Sequence, residues 1–501
     1  MKPQLLLGVD LGTTGTKAAL YHPDGALVAE AREDVPIRHV QPGWVEQDSA
    51  DFYRSAACAV RQCVAASAVD PAGIAAIAFD SQMAGVGAID AHFEPAVPFD
   101  SWLDMRCRPF IEQLSRHHGE RITDLSGCPP TCDHGPKIMW WMHERPDDYS
   151  RIAKFVMPSC YVAGRLAGLR ADQAYIDHTF LHFTALADAQ AGAWSPELCG
   201  VLGVDAARLP RIVAPWEVIG EAQPGCALEF GLRPGTLIAA GCGDTAAGAL
   251  GAGVVKPGML LDTAGTAAVL ACSTGRFVAD TEHRALITMR SVIDGVWNPL
   301  AYIAGGGLAL RWFRDNWPAA DGNYDSLFRL ALQAPPGCDG LMFSPHLGGR
   351  ICPAAPEMRG AWIGFSWSHT PAHFCRAMVE SVGYEYAYFL SILSALLPDL
   401  EMVEARVIGG GAQSPVWNQV KSDILQTPYR RVMRAESATW GAALIAGKAS
   451  GVVEDLAGAA LACAPVAGES CHPDTALRPV YRAAFERYLR WQEQLQKGFE
   501  Q

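Results

Sequence analysis

Apolar residues gather first in Gln4 to Val9 and again in Ala18 to Tyr21, two runs of strand length. Pro23-Asp24-Gly25 supplies turn chemistry after the second run, and the alternation of Ala26 to Glu30 predicts a third strand. From about Ser49 to Ala66 the period becomes helical, with Phe52, Ala56, Ala59, Val60 and Cys63 on one face and Asp48 or Ser49 as the N-cap. Ile74 to Phe79 is the next strand, so the chain opens in β-β-β-α-β order, antiparallel strands before a helix and a crossover. In the second half of the chain, Met259 to Thr266 echoes Leu7 to Thr14, and Ala267 to Ala271 follows as another apolar strand. Two similar α/β domains are therefore expected, with the boundary in 245 to 258 and the division placed at residues 1–245 and 246–501. Pro473 to Gln501 reads as a terminal helix with Tyr481, Phe485, Tyr488, Leu489 and Trp491 spaced for docking on a core.

Composition narrows the class. The 501 residues are 50% hydrophobic and 19% charged, which suits two or three folded domains and excludes disorder as the main state. The net charge of −13 is spread along the chain, so no nucleic-acid surface is expected. The 15 cysteines include no C-x-x-C pair and read as reduced, buried thiols of a cytoplasmic protein. No apolar stretch approaches the ~18 residues of a membrane span, so no membrane partner is expected.

Three glycine clusters carry candidate chemistry. In Asp10-Leu11-Gly12-Thr13-Thr14-Gly15-Thr16-Lys17, glycines admit close approach to phosphate oxygens, the threonines and Lys17 offer donors and charge, and the strand-end carboxylate suits hydrated Mg2+. The alternative is a plain hairpin turn with threonines serving strand propensity. Asp244 follows Gly241-Cys242-Gly243 where a strand ends and a helix begins, positioned either as a simple N-cap or as a base taking a proton from a substrate hydroxyl. Gly409-Gly410-Gly411 leaves a flat surface on which a planar base could lie, a pattern that also occurs without ligand.

These segments together resemble the FGGY carbohydrate kinases. The resemblance runs in order through Asp10 to Lys17, Gly43 to Asp48, Lys137 to Trp140, Asp244, Gly265-Thr266, Gly360 to Gly364, His373 to Glu380 and Gly409 to Asp423. It implies two actin-like (ribonuclease-H-like) domains with an ATP and sugar cleft between them, the first on the sugar side and the second on the nucleotide side. By position, Asp10 would hold Mg2+, Thr13, Thr14 and Lys17 would contact ATP phosphates, and Gly265 and Thr266 would contact them from the second turn. Gly307 would support the nucleotide, Gly410, Gly411 and Ser414 would lie against the adenosine, and Asp244 would be the catalytic base. Arg311 stands where some members carry glutamine.

Gln82-Met83-Ala84-Gly85 resembles the Gln-Met-His-Gly of xylulose kinases, and Trp102-Leu103-Asp104-Met105-Arg106 their Trp-Asn-Asp-x-Arg. The resemblance therefore implies Gln82, Met83, Ala84, Trp102, Asp104 and Asp244 at the sugar, and a ketopentose such as D-xylulose, or another ketose, deoxysugar or polyol, as the partner. Ala84 and Leu103 replace a histidine and an asparagine, and both changes remove polar groups. Asp104 with Arg106 could equally form a surface ion pair, and Met83 could be a core residue. Trp140-Trp141 reads as packing. A homodimer stays open, and Asp172 and Asp177 receive no role.

Overall fold

The computed structural model describes residues 4–317, 322–434, 436–466 and 470–499. The chain forms two compact units: one comprises Met1–Val255, Thr288–Trp297 and Glu436–Ala464, the other Lys256–Ile287, Asn298–Ala435 and Pro465–Gln501. The first unit thus runs past the expected division at 245/246 and recovers a late segment of the chain.

In the first unit, β1 (Leu5–Leu11), β2 (Gly15–Tyr21) and β3 (Leu27–Asp34) form an antiparallel meander. Two short strands follow that the pattern did not announce, β4 (Arg38–Gln41) and β5 (Trp44–Gln47). They belong to a separate five-stranded sheet. Then come α1 (Ser49–Ser67) and β6 (Ile74–Ser81), which lies parallel to β1. The side chain of Asp48 caps α1 by accepting the Ala50 N–H at 2.9 Å. β1 is buried along nearly its whole length, as a strand covered on both faces must be, whereas β3 alternates between exposed and half-buried positions at the sheet edge.

The recovered segment carries the helix Ser437–Ala449, which packs across β1 and against the helix Asp244–Gly251. Backbones touch in both contacts. A β-carbon on Gly8 would sit 1.8 Å from the Thr439 carbonyl oxygen, and one on Gly441 2.0 Å from that of Ala247. Only glycine allows these approaches, and they fix the helix whose first residue is Asp244.

The second unit repeats the theme. Met259–Ala264 and Ala268–Cys272 form an antiparallel hairpin, and Glu404–Ile408 runs parallel to the first of these strands. Arg478–Phe499 is the terminal helix. Tyr481 and Tyr488 are buried on it as expected, Phe485 packs at its margin, and Trp491 is exposed, a departure from its expected docking. The far end of that expected helix, Glu500 and Gln501, lies outside the described residues.

Candidate active site

Three carboxylates converge where β1 and β6 end in the first unit. Asp10 and Asp80 are directly paired on the two parallel strands, and Cys242–Gly243 adds alongside Asp80–Ser81 so that Asp244 follows at the first turn of its helix. Gly243, not Asp244, is the N-cap. The Oδ1 of Asp244 accepts from its neighbour's N–H at 2.6 Å and from the Thr245 hydroxyl at 3.1 Å. Burial, with the charge of Asp10 added, pushes Asp244 up to about 7 against those two hydrogen bonds. Burial also raises Asp10, opposed by Lys17. Asp80 is held well above the usual carboxylate range, through burial and then the charges of Asp10 and Asp244.

The first glycine turn closes with the Gly12 N–H on the Gly15 carbonyl at 3.1 Å. A polar chain ties it to the segment expected at the sugar: Gln82 Nε2 donates to Gln47 Oε1 at 2.9 Å, and Gln47 Nε2 donates to the Thr13 carbonyl at 2.9 Å. Trp102 Nε1 donates to Thr13 Oγ1 at 3.0 Å, which brings the 102–106 loop to the same turn. Met83 is buried with its side chain against Gly243, and its carbonyl accepts from His134 Nε2 at 2.8 Å. Ala84 is half-buried and Thr14 exposed. Lys17 Nζ lies 2.6 Å from Glu436, each side chain about one-third exposed at 32% and 35%.

Asp104 and Arg106 form a buried cluster and not a surface ion pair. Asp104 accepts the Val45 N–H at 2.6 Å and the Arg106 guanidinium at 2.7 to 3.0 Å. Arg106 also meets Glu46 at 2.8 Å and lies over the rings of Trp44 and Trp140, 4.1 and 4.9 Å from their centres. Both oxygens of Asp104 are therefore engaged in holding the loop that presents Trp102. Trp140 and Trp141 are buried, edge to face at 5.0 Å, as packing residues.

In the second unit a cavity of about 690 Å³ gathers every nucleotide residue expected there: Gly265, Thr266, Gly307, Gly410, Gly411 and Ser414. The Gly307 N–H donates to the Gly265 carbonyl at 3.0 Å, and the Ser414 hydroxyl caps the helix Pro415–Leu425 by accepting the Trp417 N–H at 3.2 Å. Arg311 lines the cavity too. Asn323, Tyr324, Asp325 and Phe328, on and before the helix Tyr324–Ala331, complete the wall. Sequence reading missed these four because the local signals, Asn323 capping the helix by accepting the Asp325 N–H and the helix's amphipathic face, mark a helix and not a ligand.

Among the described residues no three His, Cys, Asp or Glu side chains group as a metal site. Mg2+ asks for less, one or two carboxylates with waters and substrate phosphates. Asp80 has two buried oxygens without a hydrogen-bond partner beside Asp10, so the residues present fit a cation. No helix among the described residues is long and apolar enough to cross a membrane.

Comparison with known proteins agrees with this geometry. Residues 5–251 match the N-terminal domain model of the FGGY family of carbohydrate kinases, and residues 263–450 match its C-terminal domain model. A xylulose kinase of Bacillus subtilis (strain 168) is 26% identical over 90% of this chain and 89% of its own. A gluconokinase of the same organism is 27% identical over 90% and 88%. The crystal structure of a xyloylose kinase from Brucella ovis superposes with a TM-score of 0.89 at 26% identity, covering 98% and 99% of the two chains. With both domain models matched in order over most of its length, and carboxylates and glycine turns set in two mixed α/β units, this chain belongs to the FGGY family of carbohydrate kinases and is an ATP-dependent sugar kinase.

Proposed function

We propose that the chain transfers the γ-phosphoryl group of ATP to a hydroxyl of a ketopentose such as D-xylulose, with another ketose, a deoxysugar or a polyol as the alternative acceptor. The observation that carries this reading is Asp244, a partly exposed carboxylate at a helix start with its pKa near 7, poised to accept a hydroxyl proton at neutral pH. As the acceptor oxygen attacks the γ-phosphorus, the bond from that phosphorus to the β–γ bridging oxygen breaks and ADP leaves, while the acceptor's proton passes to an oxygen of Asp244, whose Oδ1 is steadied by Thr245. Asp10 would hold Mg2+, which when bound neutralises charge on the phosphates. Thr13 and Thr14 offer hydroxyls to those phosphates, and Gly265, Thr266, Gly307, Gly410, Gly411 and Ser414 hold the nucleotide. Lys17 can help only by leaving Glu436, an exposed pair of about 0–1 kcal/mol. Gln82, Met83, Ala84 and Trp102 surround the sugar, and Asp104 serves it through the Trp102 loop. A cytoplasmic setting goes with reading the cysteines, which include no C-x-x-C pair, as reduced thiols.

Asp244→Asn tests the reading. It should keep nucleotide binding and lose about 10²–10⁴-fold in kcat, and near-normal turnover would remove Asp244 from the mechanism. Specificity has its own test, because Ala84 and Leu103 lack the polar groups through which a site rejects analogues. Ala84→His should improve D-xylulose relative to other sugars by about 0.5–1.5 kcal/mol in kcat/KM. A panel ranking already led by D-xylulose and unmoved by the substitution would show that Ala84 does not shape specificity.

A further inference from the structure

Asp80, paired with Asp10 at the strand ends, has no hydrogen-bond partner among the described residues. Asp80 is 0% exposed, and neither of its oxygens has a hydrogen-bond donor among the described residues. The group within hydrogen-bond reach is the Asp10 carboxylate, itself an acceptor. Two facing acceptors require a positive species between them, because an unpaired buried carboxylate costs several kcal/mol of desolvation with nothing returned. Lys17 stands opposite Asp10 on β2, but its Nζ is bonded to Glu436. Asp244 adds a third negative group from its helix start.

We propose that Asp80 is a second protein ligand of the divalent ion at Asp10, so that two carboxylates, fixed in register on adjacent strands, hold it together. The proposal rests on the kinase reading for Asp10 and adds a residue which that reading leaves unused. Its chemistry is that of Mg2+, a hard cation that takes one or two carboxylates and completes its octahedron with waters and phosphate oxygens. Both ligands come from central strands of one sheet, so the site is preformed. The ion should therefore bind the protein measurably before nucleotide arrives.

A proton shared between the two carboxylates is the rival occupant, and asparagine tells them apart. Asp80→Asn keeps the shape and can donate to Asp10 as a protonated acid does, yet it removes the ligand charge. The probe is Mn2+, followed by electron paramagnetic resonance on the full-length protein, with and without ADP. The wild type, Asp80→Asn, Asp80→Ser and Asp10→Asn are compared, each checked for folding by circular dichroism. The Kd for Mn2+ should rise at least tenfold in both Asp80 variants, since losing even an outer partner of a metal ligand costs about 10–100-fold. Wild-type Mn2+ affinity in Asp80→Asn and Asp80→Ser, alongside a large loss in Asp10→Asn, would overturn the proposal and leave the kinase reading intact. Wild-type affinity in Asp10→Asn as well would strike the metal role of Asp10 and this inference with it.

Discussion

In the proposed mechanism Asp244 carries most of the chemistry, and its environment makes two measurable demands. As a base it must be ionised, so kcat should climb as pH rises through about 7 and fall away below it. A pH profile flat from 5.5 to 8 would contradict the assignment. The same shift has a stability consequence of fixed sign. The folded-state pKa lies above the ordinary value of 3.8, so the native state binds the extra proton, and stability is lost between that value and about 7 as pH rises. Asp244→Asn removes the ionised group and should raise Tm relative to the wild type at pH 8, with little difference at pH 4. Thermal unfolding at the two pH values checks this, and an equal shift at both would mean that burial of the charge is not the cause. Asp244 was legible because a strand, a glycine turn and a helix start are local signals. Asp80 was not, since its paired neighbours come from β1 and from the helix start at Asp244, far away in the chain. The saturation of Asp104 by Val45 and Arg106 was equally invisible, because it depends on how a loop folds back on β5.

Among the elements, the glycines of the second unit separate fold from binding. A β-carbon on Gly410 would meet nothing within 4 Å, although the residue lines the cavity proposed for the nucleotide, whereas one on Gly411 would sit 2.5 Å from the Trp417 ring. Gly410→Val should therefore raise the KM for ATP several-fold, with the KM for sugar and the Tm nearly unchanged. Gly411→Val should lower Tm as well, through the loss of about 1–3 kcal/mol of stability that overpacking a core brings. Equal effects of Gly410→Val on both Michaelis constants would argue that the cavity holds something other than the nucleotide. The apolar runs of β1, β2 and β6 and the capped helix α1 could be read from sequence because burial on both faces writes itself into seven or eight residues, and a helical stripe with a capping aspartate into 19. β4 and β5 could not. Each has four residues, β4 is exposed throughout, and the outer partner of β5, the strand Pro95–Asp100, lies well beyond α1. Trp491 shows the same limit, since helical spacing identifies a face but not how far the core extends beneath it.

For the whole molecule, the repeat of strand, Gly-Thr turn and strand announced two related units, and both hairpins with their parallel third strands are present. What the linear pattern hid is the return of Glu436–Ala464 to the first unit, which is written in single glycines at positions 8 and 441 and not in any run of residues. The central proposal is that the carboxylates of the first unit and the glycine-lined cavity of the second serve phosphoryl transfer to a ketose or related polyol. The most direct measurement is acceptor-dependent ADP release from ATP and Mg2+, across D-xylulose, other pentuloses, hexuloses, deoxysugars, polyols and gluconate, for the wild type and Asp244→Asn. The account predicts release that depends on a neutral ketose or polyol, with D-xylulose or a close relative leading, and that collapses about 10²–10⁴-fold in Asp244→Asn. Release that proceeds equally without any acceptor, or that survives Asp244→Asn, would contradict it.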